Sequence, residues 1–209
     1  MVLKNFIVFE GIDGSGTSTQ IKLLAERLAE GGAAVTAEPT SGPTGLFLRR
    51  MLAGEFSVDA RTAAYLFAAD RCEHVYGKGG ILEAAACGTV ISDRYLFSSL
   101  AYQSVSCGDG LPEMLNSGFP LPSLLFYLAV APEVSMARVC GRGNAREIYE
   151  NTDFQRKTAA LYEKVISGYE GTEKGKGMNV VRIDAGASIG SIAETVWSKV
   201  REYGLDGKR

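Results

Sequence analysis

The N-terminal segment leaves little freedom to the fold. Phe6, Ile7, Val8 and Phe9 form a continuous apolar run of β-formers, and Gly11, Gly14 and Gly16 follow at once. Ile21, Leu24, Ala25 and Leu28 then recur at helical spacing until Gly31 and Gly32 stop the pattern. The reading is strand, glycine loop, helix. Residues 11–18, GIDGSGTS, nearly fit the phosphate-binding pattern GxxxxGK[ST]. Glycines at that spacing let backbone N–H groups turn inward around phosphate oxygens, and the helix adds the positive end of its dipole. The Ser18 hydroxyl is suited to a magnesium ion. Thr17 stands where the pattern has lysine, the cation that meets the β- and γ-phosphates. A tight strand-to-helix turn without a ligand is the alternative. The position of the loop between a buried strand and an amphipathic helix favours phosphate.

The rest of the chain extends this start into a layered α/β fold. Residues 35–37, 89–92, 124–130 and 180–183 read as further apolar strands, about five with the first. Residues 46–86 are helical in pattern, with breaks at Gly54 and near Gly77 and Gly80. Ile189, Ile192, Ala193, Val196 and Val200 mark a C-terminal amphipathic helix that also carries Trp197, expected in the core. Solid apolar strands alternating with helices predict a parallel sheet covered on both faces. Ligands then sit at the carboxyl ends of the strands, where Gly11, Glu38 and Asp93 fall. The stretch GTEKGKG, residues 171–177, reads as a solvated loop.

Composition narrows the function. A chain of 209 residues, 46% hydrophobic, suits one domain over its whole length. The net charge of −2 gives no reason to expect nucleic acid or an anionic membrane as partner. Cys72, Cys87, Cys107 and Cys140 are scattered and there is one histidine, His74, so neither a zinc site nor a disulfide framework is expected. No apolar run approaches a membrane span or a signal peptide, which predicts a soluble cytoplasmic protein.

A wider constellation carries a resemblance. FIVFEGIDGSGTSTQ at residues 6–20, Glu38-Pro39, FAADR at 67–71, and Asp93-Arg94-Tyr95 followed by SSLAYQ at 98–103 resemble the thymidylate kinases over nearly the whole chain. The resemblance implies a three-layer P-loop kinase fold with a mobile lid at about residues 138–151. It implies phosphoryl transfer from ATP to dTMP, with ATP as co-substrate, Mg2+ as cofactor, and a homodimer as the usual assembly.

Carried over position by position, it assigns Gly11, Asp13, Gly14, Ser15, Gly16, Thr17, Ser18 and Thr19 to the ATP phosphates, and Ser18 with Asp93 to the metal. Asp13 also approaches the 3′-hydroxyl of dTMP. Glu38 and Pro39 lie near the metal and the acceptor phosphate, although Ala37 replaces a family arginine and a simple strand-closing turn is an equal alternative. Arg49 holds the dTMP phosphate, while its neighbour Arg50 points elsewhere and is solvated. Phe67 stacks on thymine, and Arg71, on the same helical face, bonds a thymine oxygen. Taken alone, Phe67 would be a core residue. Asp70 is structural, and so is His74 unless it lies on the surface.

Asp93 follows a buried strand, as a magnesium-binding aspartate does; its alternative is a helix N-cap. Arg94 lies between the acceptor phosphate and the transferring group, its alternative being an ion pair with Asp93. Ser98, Tyr102 and Gln103 line thymine and deoxyribose, Tyr102 crowding the 2′ carbon; their alternative is helix packing. Arg138 stacks on adenine, and Arg142 and Arg146 reach the ATP phosphates from the lid; their alternative is a solvated basic face.

Phosphoryl transfer requires in-line positioning and charge neutralisation, and the acceptor phosphate is already ionised, so no general base is assigned. Arg94, the metal held by Asp93, and Arg142 and Arg146 form the electrophilic set. With Thr17 in the lysine position, two expectations compete. A lid arginine supplies the missing charge, or the chain is a degenerate nucleotide-binding paralogue with weak or no transfer.

Overall fold

A computed structural model describes residues 1–28, 32–141 and 148–207. The chain runs β1 (Val2–Glu10), α1 (Thr17–Arg27), β2 (Ala34–Ala37), α2 (Pro43–Leu52), α3 (Ala60–Tyr76), α4 (Ile81–Cys87) and β3 (Val90–Asp93). It continues through α5 (Leu96–Cys107), α6 (Gly110–Asn116), β4 (Leu121–Ala129), α7 (Pro132–Cys140), α8 (Thr152–Tyr169), β5 (Asn179–Asp184) and α9 (Ile189–Glu202). The strands form one parallel five-stranded sheet in the order β2-β3-β1-β4-β5. Strand order reverses at β1, so the loops after β1 and β3 open side by side at the carboxyl edge, where such sheets bind ligands.

Alternation along β1 divides the interior into two layers, because successive strand side chains face opposite sides of the sheet. Phe6 and Val8 face a cluster built with Tyr95, Phe97, Leu100, Ala101 and Tyr102 around α5, and with Tyr162 and Ile166 on α8. Ile7 and Phe9 face Ile21, Leu24 and Leu28 from α1 and its end, and Ile192, Val196 and Val200 on α9. Each of these side chains is almost fully buried, which contributes about 2 kcal/mol for each valine, leucine, isoleucine and phenylalanine. A smaller cluster, Leu48, Met51, Leu52 and Ala63, joins α2 to α3 beneath one wall of the carboxyl-edge cleft.

The five expected strands are present, and β1 and β4 begin a few residues before their apolar cores. Residues 171–177 form turns, as expected. Two elements depart from the sequence reading. Trp197 is half-buried at the rim of its cluster rather than inside it, with the Arg27 guanidinium 5.7 Å from its ring centre. The helix α8, capped by Asn151 through the Phe154 N–H, had no strong apolar signature. Its buried seam begins with Gln155 and Thr158 before reaching Tyr162 and Ile166, so half of the stripe is polar. Arg142 and Arg146 lie outside the described residues.

Candidate active site

The glycine loop closes around backbone. Gly14 and Gly16 adopt positive φ, 81° and 98°. At Gly14 the constraint is double, because a Cβ there would stand 2.6 Å from the Ser135 carbonyl oxygen. Gly16 caps α1, and no acidic residue occupies the first helical turn, so the helix adds no anion of its own to its positive end. Thr17, the first residue of α1, is buried. Ser18 Oγ donates to Asp93 Oδ2 at 2.6 Å, and the buried Asp93 Oδ1 has no partner. A hydroxyl and a carboxylate with a spare oxygen are the donor set of a small hard cation. Among the described residues no group of three or more His, Cys, Asp and Glu side chains adds to them.

Asp93 ends β3 and does not cap a helix; α5 starts three residues later, after Tyr95. Arg94 does not pair with Asp93. Its φ of 69° is the left-handed conformation that residues other than glycine seldom adopt, and it carries the side chain back across the loop. Nη1 donates to Gly11 O at 2.9 Å, Ser98 Oγ at 3.2 Å and Tyr162 Oη at 3.3 Å, while Nη2 donates to Asp13 Oδ1 at 2.5 Å. The guanidinium carbon stands 5.2 Å from the Tyr102 ring centre. The other oxygen of Asp13 accepts from Gln155 Nε2 at 2.8 Å.

Beside this hub lies a cavity of about 250 Å3. Asp13, Glu38, Pro39, Arg49, Phe67, Arg71, Asp93, Arg94, Ser98, Tyr102 and Gln103 all line it, so the acceptor-side residues singled out from the sequence converge. Phe67 is half-buried on its wall rather than in the core. Arg71 is buried with Nη2 donating to Glu38 Oε2 at 2.5 Å and to Ser99 Oγ at 3.0 Å, and Nη1 donating to Asn116. The second oxygen of Glu38 lies 3.0 Å from His74 Nδ1, whose Nε2 is 2.6 Å from Thr36 Oγ1. Glu38 thus pairs with Arg71 and His74 while also lining the cavity; the sequence reading had placed it near metal and phosphate. Arg71 Nε and Gln103 Oε1 keep no partner. Asp70 is structural: it accepts from Thr40 N at 2.8 Å and Thr40 Oγ1 at 2.6 Å, fixing the loop after β2. Arg49 donates to the Pro39 and Thr40 carbonyls of that loop.

On the opposite side of the glycine loop, Gly14, Ser15, Gly16, Thr19, Leu128, Ala185 and Ile192 line a second cavity of about 220 Å3. Arg138 on α7 borders it and donates to Ala185 O at 2.9 Å and Gly14 O at 3.4 Å.

The sequence reading missed Glu10, Tyr162 and Gln155. Glu10 is fully buried at the end of β1. Its Oε1 accepts from the Tyr95 and Ser98 N–H groups at 2.9 and 3.1 Å, and its Oε2 from Ser98 Oγ at 2.6 Å and Tyr162 Oη at 2.9 Å. Burial pushes its carboxyl up to about 7, against the Ser98 hydrogen bond and the Arg94 charge. Burial, with the Glu10 charge next, pushes the Tyr162 hydroxyl well above its ordinary value, so it keeps its proton. The one signal available was a lone carboxylate ending an apolar strand.

Comparison with known proteins places the sequence in a family. The sequence profile described as Thymidylate kinase matches residues 9–194. A chain from Treponema pallidum (strain Nichols) is 39% identical over 204 residues, 97% of each chain. The thymidylate kinase of Leptospira interrogans serogroup Icterohaemorrhagiae serovar Lai (strain 56601) is 41% identical over 170 residues, 77% of this chain and 81% of its own. A chain from Methanocaldococcus jannaschii is 41% identical over 170 residues, 81% of this chain and 85% of its own.

Proposed function

The chain belongs to the thymidylate kinase family, and on that premise we propose that it transfers the γ-phosphoryl group of ATP to dTMP, giving dTDP and ADP. The observation that carries the reading is the convergence in one cavity of an aromatic wall, Phe67, an arginine, Arg71, and an unpartnered amide oxygen, Gln103 Oε1, next to the Arg94 hub and the phosphate loop. Thymine offers a donor at N3 and an acceptor at O4, which suit Gln103 Oε1 and Arg71 in turn. Cytosine inverts both and leaves buried polar groups unpaired. Phe67 supplies a stacking face. Tyr102 crowds the sugar's 2′ position, Asp13 meets the 3′-hydroxyl, and Arg49 holds the 5′-phosphate with Ser98 and Pro39 completing the lining.

On the donor side the loop N–H groups of Gly14, Ser15, Gly16, Thr17, Ser18 and Thr19 bind the ATP phosphates, and Arg138 covers adenine in the second cavity. The Ser18 and Asp93 oxygens would hold Mg2+, which would neutralise charge on the donor phosphates. Arg94 lies between donor and acceptor and neutralises charge from both. Arg142 or Arg146, in a lid at about residues 138–151, supplies the charge that Thr17 does not. The chain works as one domain, in the cytoplasm, as a homodimer; exposed Tyr65 and Tyr76 on α3 and Met114 on α6 support an apolar contact face. No described helix is long and apolar enough to cross a membrane. The alternative of a binding protein without transfer has no positive support from the family match or the relatives.

The test is ADP production with ATP, magnesium and dTMP, beside dUMP, dCMP and thymidine as acceptors and beside Thr17→Lys. Turnover that prefers dTMP supports the reading. Absence of turnover in the unmodified chain, with rescue in Thr17→Lys, refutes transfer as its function.

A further inference from the structure

Four donors converge on the buried Glu10 carboxylate, and no step of the proposed transfer uses it. Its two oxygens face different partners. Oε1 takes the N–H groups of Tyr95 and Ser98, which have no other orientation to offer. Oε2 faces two hydroxyls, Ser98 Oγ and Tyr162 Oη, themselves 2.8 Å apart. Those same two hydroxyl oxygens receive Arg94 Nη1. An arginine can only donate, so each hydroxyl must turn a lone pair toward it and its proton elsewhere. A carboxylate behind the hydroxyls takes those protons, directly or through one hydroxyl to the other.

We propose that Glu10 is a positioning residue that orders the Ser98 and Tyr162 hydroxyls as acceptors and thereby holds Arg94 in its place between the two substrates. The proposal rests on the transfer reaction above and adds to it a residue that touches neither substrate.

Glutamine at this position shows why charge rather than shape matters. The Tyr95 and Ser98 N–H groups demand the amide oxygen, so the amide nitrogen must face the two hydroxyls. Each hydroxyl oxygen then receives the amide; one hydroxyl can pass its proton to the other, 2.8 Å away, and the remaining proton is turned toward the Arg94 donors. A buried donor-to-donor contact of that kind is among the costly polar errors, and Arg94 escapes it by moving. Besides Arg94, the titratable groups around Glu10 are Tyr162 from α8 and Tyr127 from β4.

The test measures kcat and the KM for dTMP at pH 8, at saturating ATP, in the unmodified chain, Glu10→Gln, the double variant Ser98→Ala/Tyr162→Phe, and the triple combination. The expected result is a loss in kcat of at least tenfold in Glu10→Gln. The same substitution should change kcat by less than twofold in the double variant, where no hydroxyl remains to be ordered. A Glu10→Gln chain within threefold of the unmodified kcat overturns the proposal. So does an equal loss in both backgrounds, which marks a merely structural carboxylate. If Glu10→Gln fails to fold, the double variant decides: a tenfold loss in kcat supports the proposal and a loss under threefold overturns it. Absence of dTMP-dependent ADP from the unmodified chain refutes the transfer reading, and this inference with it.

Discussion

The two halves of the cleft are built on opposite plans. In the acceptor half the arginines are already paired with protein. Arg71 is held by Glu38, Ser99 and Asn116, and Arg94 by Asp13, Gly11, Ser98 and Tyr162. In the donor half the phosphate loop presents backbone N–H groups, a helix terminus and Thr17. Of the two described arginines that border it, Arg94 is the one shared with the acceptor half, and Arg138 sits on an exposed helix end against two carbonyls. The acceptor half therefore spends desolvation to fix its donors before any ligand arrives, since removing one partner of a buried pair leaves a stranded charge. The donor half leaves its charge to be brought in. On the function proposed above, selectivity is set on one side and the completion of the electrostatic field on the other.

Four experiments would break or sharpen that contrast. Arg94→Ala removes the cation shared by both halves and should lower kcat about a thousandfold, the upper end for loss of one preorganised donor. Steady-state assays check this, and a loss under tenfold would place the transferring charge elsewhere. Glu38→Ala strands the buried Arg71 and should lower unfolding stability by about 3 kcal/mol. Urea denaturation reads it; a change under 1 kcal/mol would mean that the acceptor half is not preorganised by this pair.

The next effect depends on pH. The Glu10 carboxyl is raised from its ordinary 4.5 to about 7 by burial. In the pH range between those values the folded chain binds the proton that the unfolded chain has released, so the contribution of this group to stability is full below 4.5 and falls as pH rises through 7. The loss amounts to about 3 kcal/mol at most. Denaturation of the unmodified chain and Glu10→Gln across pH 4 to 8 should give curves whose difference changes by about that amount. Parallel curves would disprove the assignment. Thr17→Lys should have the smallest effect, tightening ATP about tenfold, or about 1.4 kcal/mol, while the KM for dTMP moves less than about twofold. A comparable shift in both would show that the halves are coupled through the loop.

Much of this architecture is legible in the chain itself. The apolar run at Phe6, Ile7, Val8 and Phe9 and the helical spacing of Ile21, Leu24 and Leu28 are local patterns, and both elements appear where those patterns lie. The pair Phe67 and Arg71 shares a helical face because four residues are about one turn, and both reach the acceptor cavity. Helix α8 is less legible because the residues that bury its first turns are Gln155 and Thr158, which periodicity counts as polar. The polar character of that seam has a reason that lies far away in the sequence: Gln155 Nε2 reaches Asp13.

The sequence by itself determined the strand, loop and helix, the sheet class and the residue types at the carboxyl edge, because each depends on neighbours within a turn or a strand. Partnership was decided only in three dimensions. Parallel pairing of β1 with β3 sets Phe9 beside Asp93 and brings the loops after both strands together. That register delivers Arg94 to Asp13 and to Gly11 and places Ser98 over Glu10, and the packing of α8 brings Tyr162 to the same carboxylate. A charge reads alike in the sequence whether it meets substrate, a counter-ion or water. Which of these it meets is set by packing of distant segments, whose combined burial outweighs the preference of any one side chain for solvent.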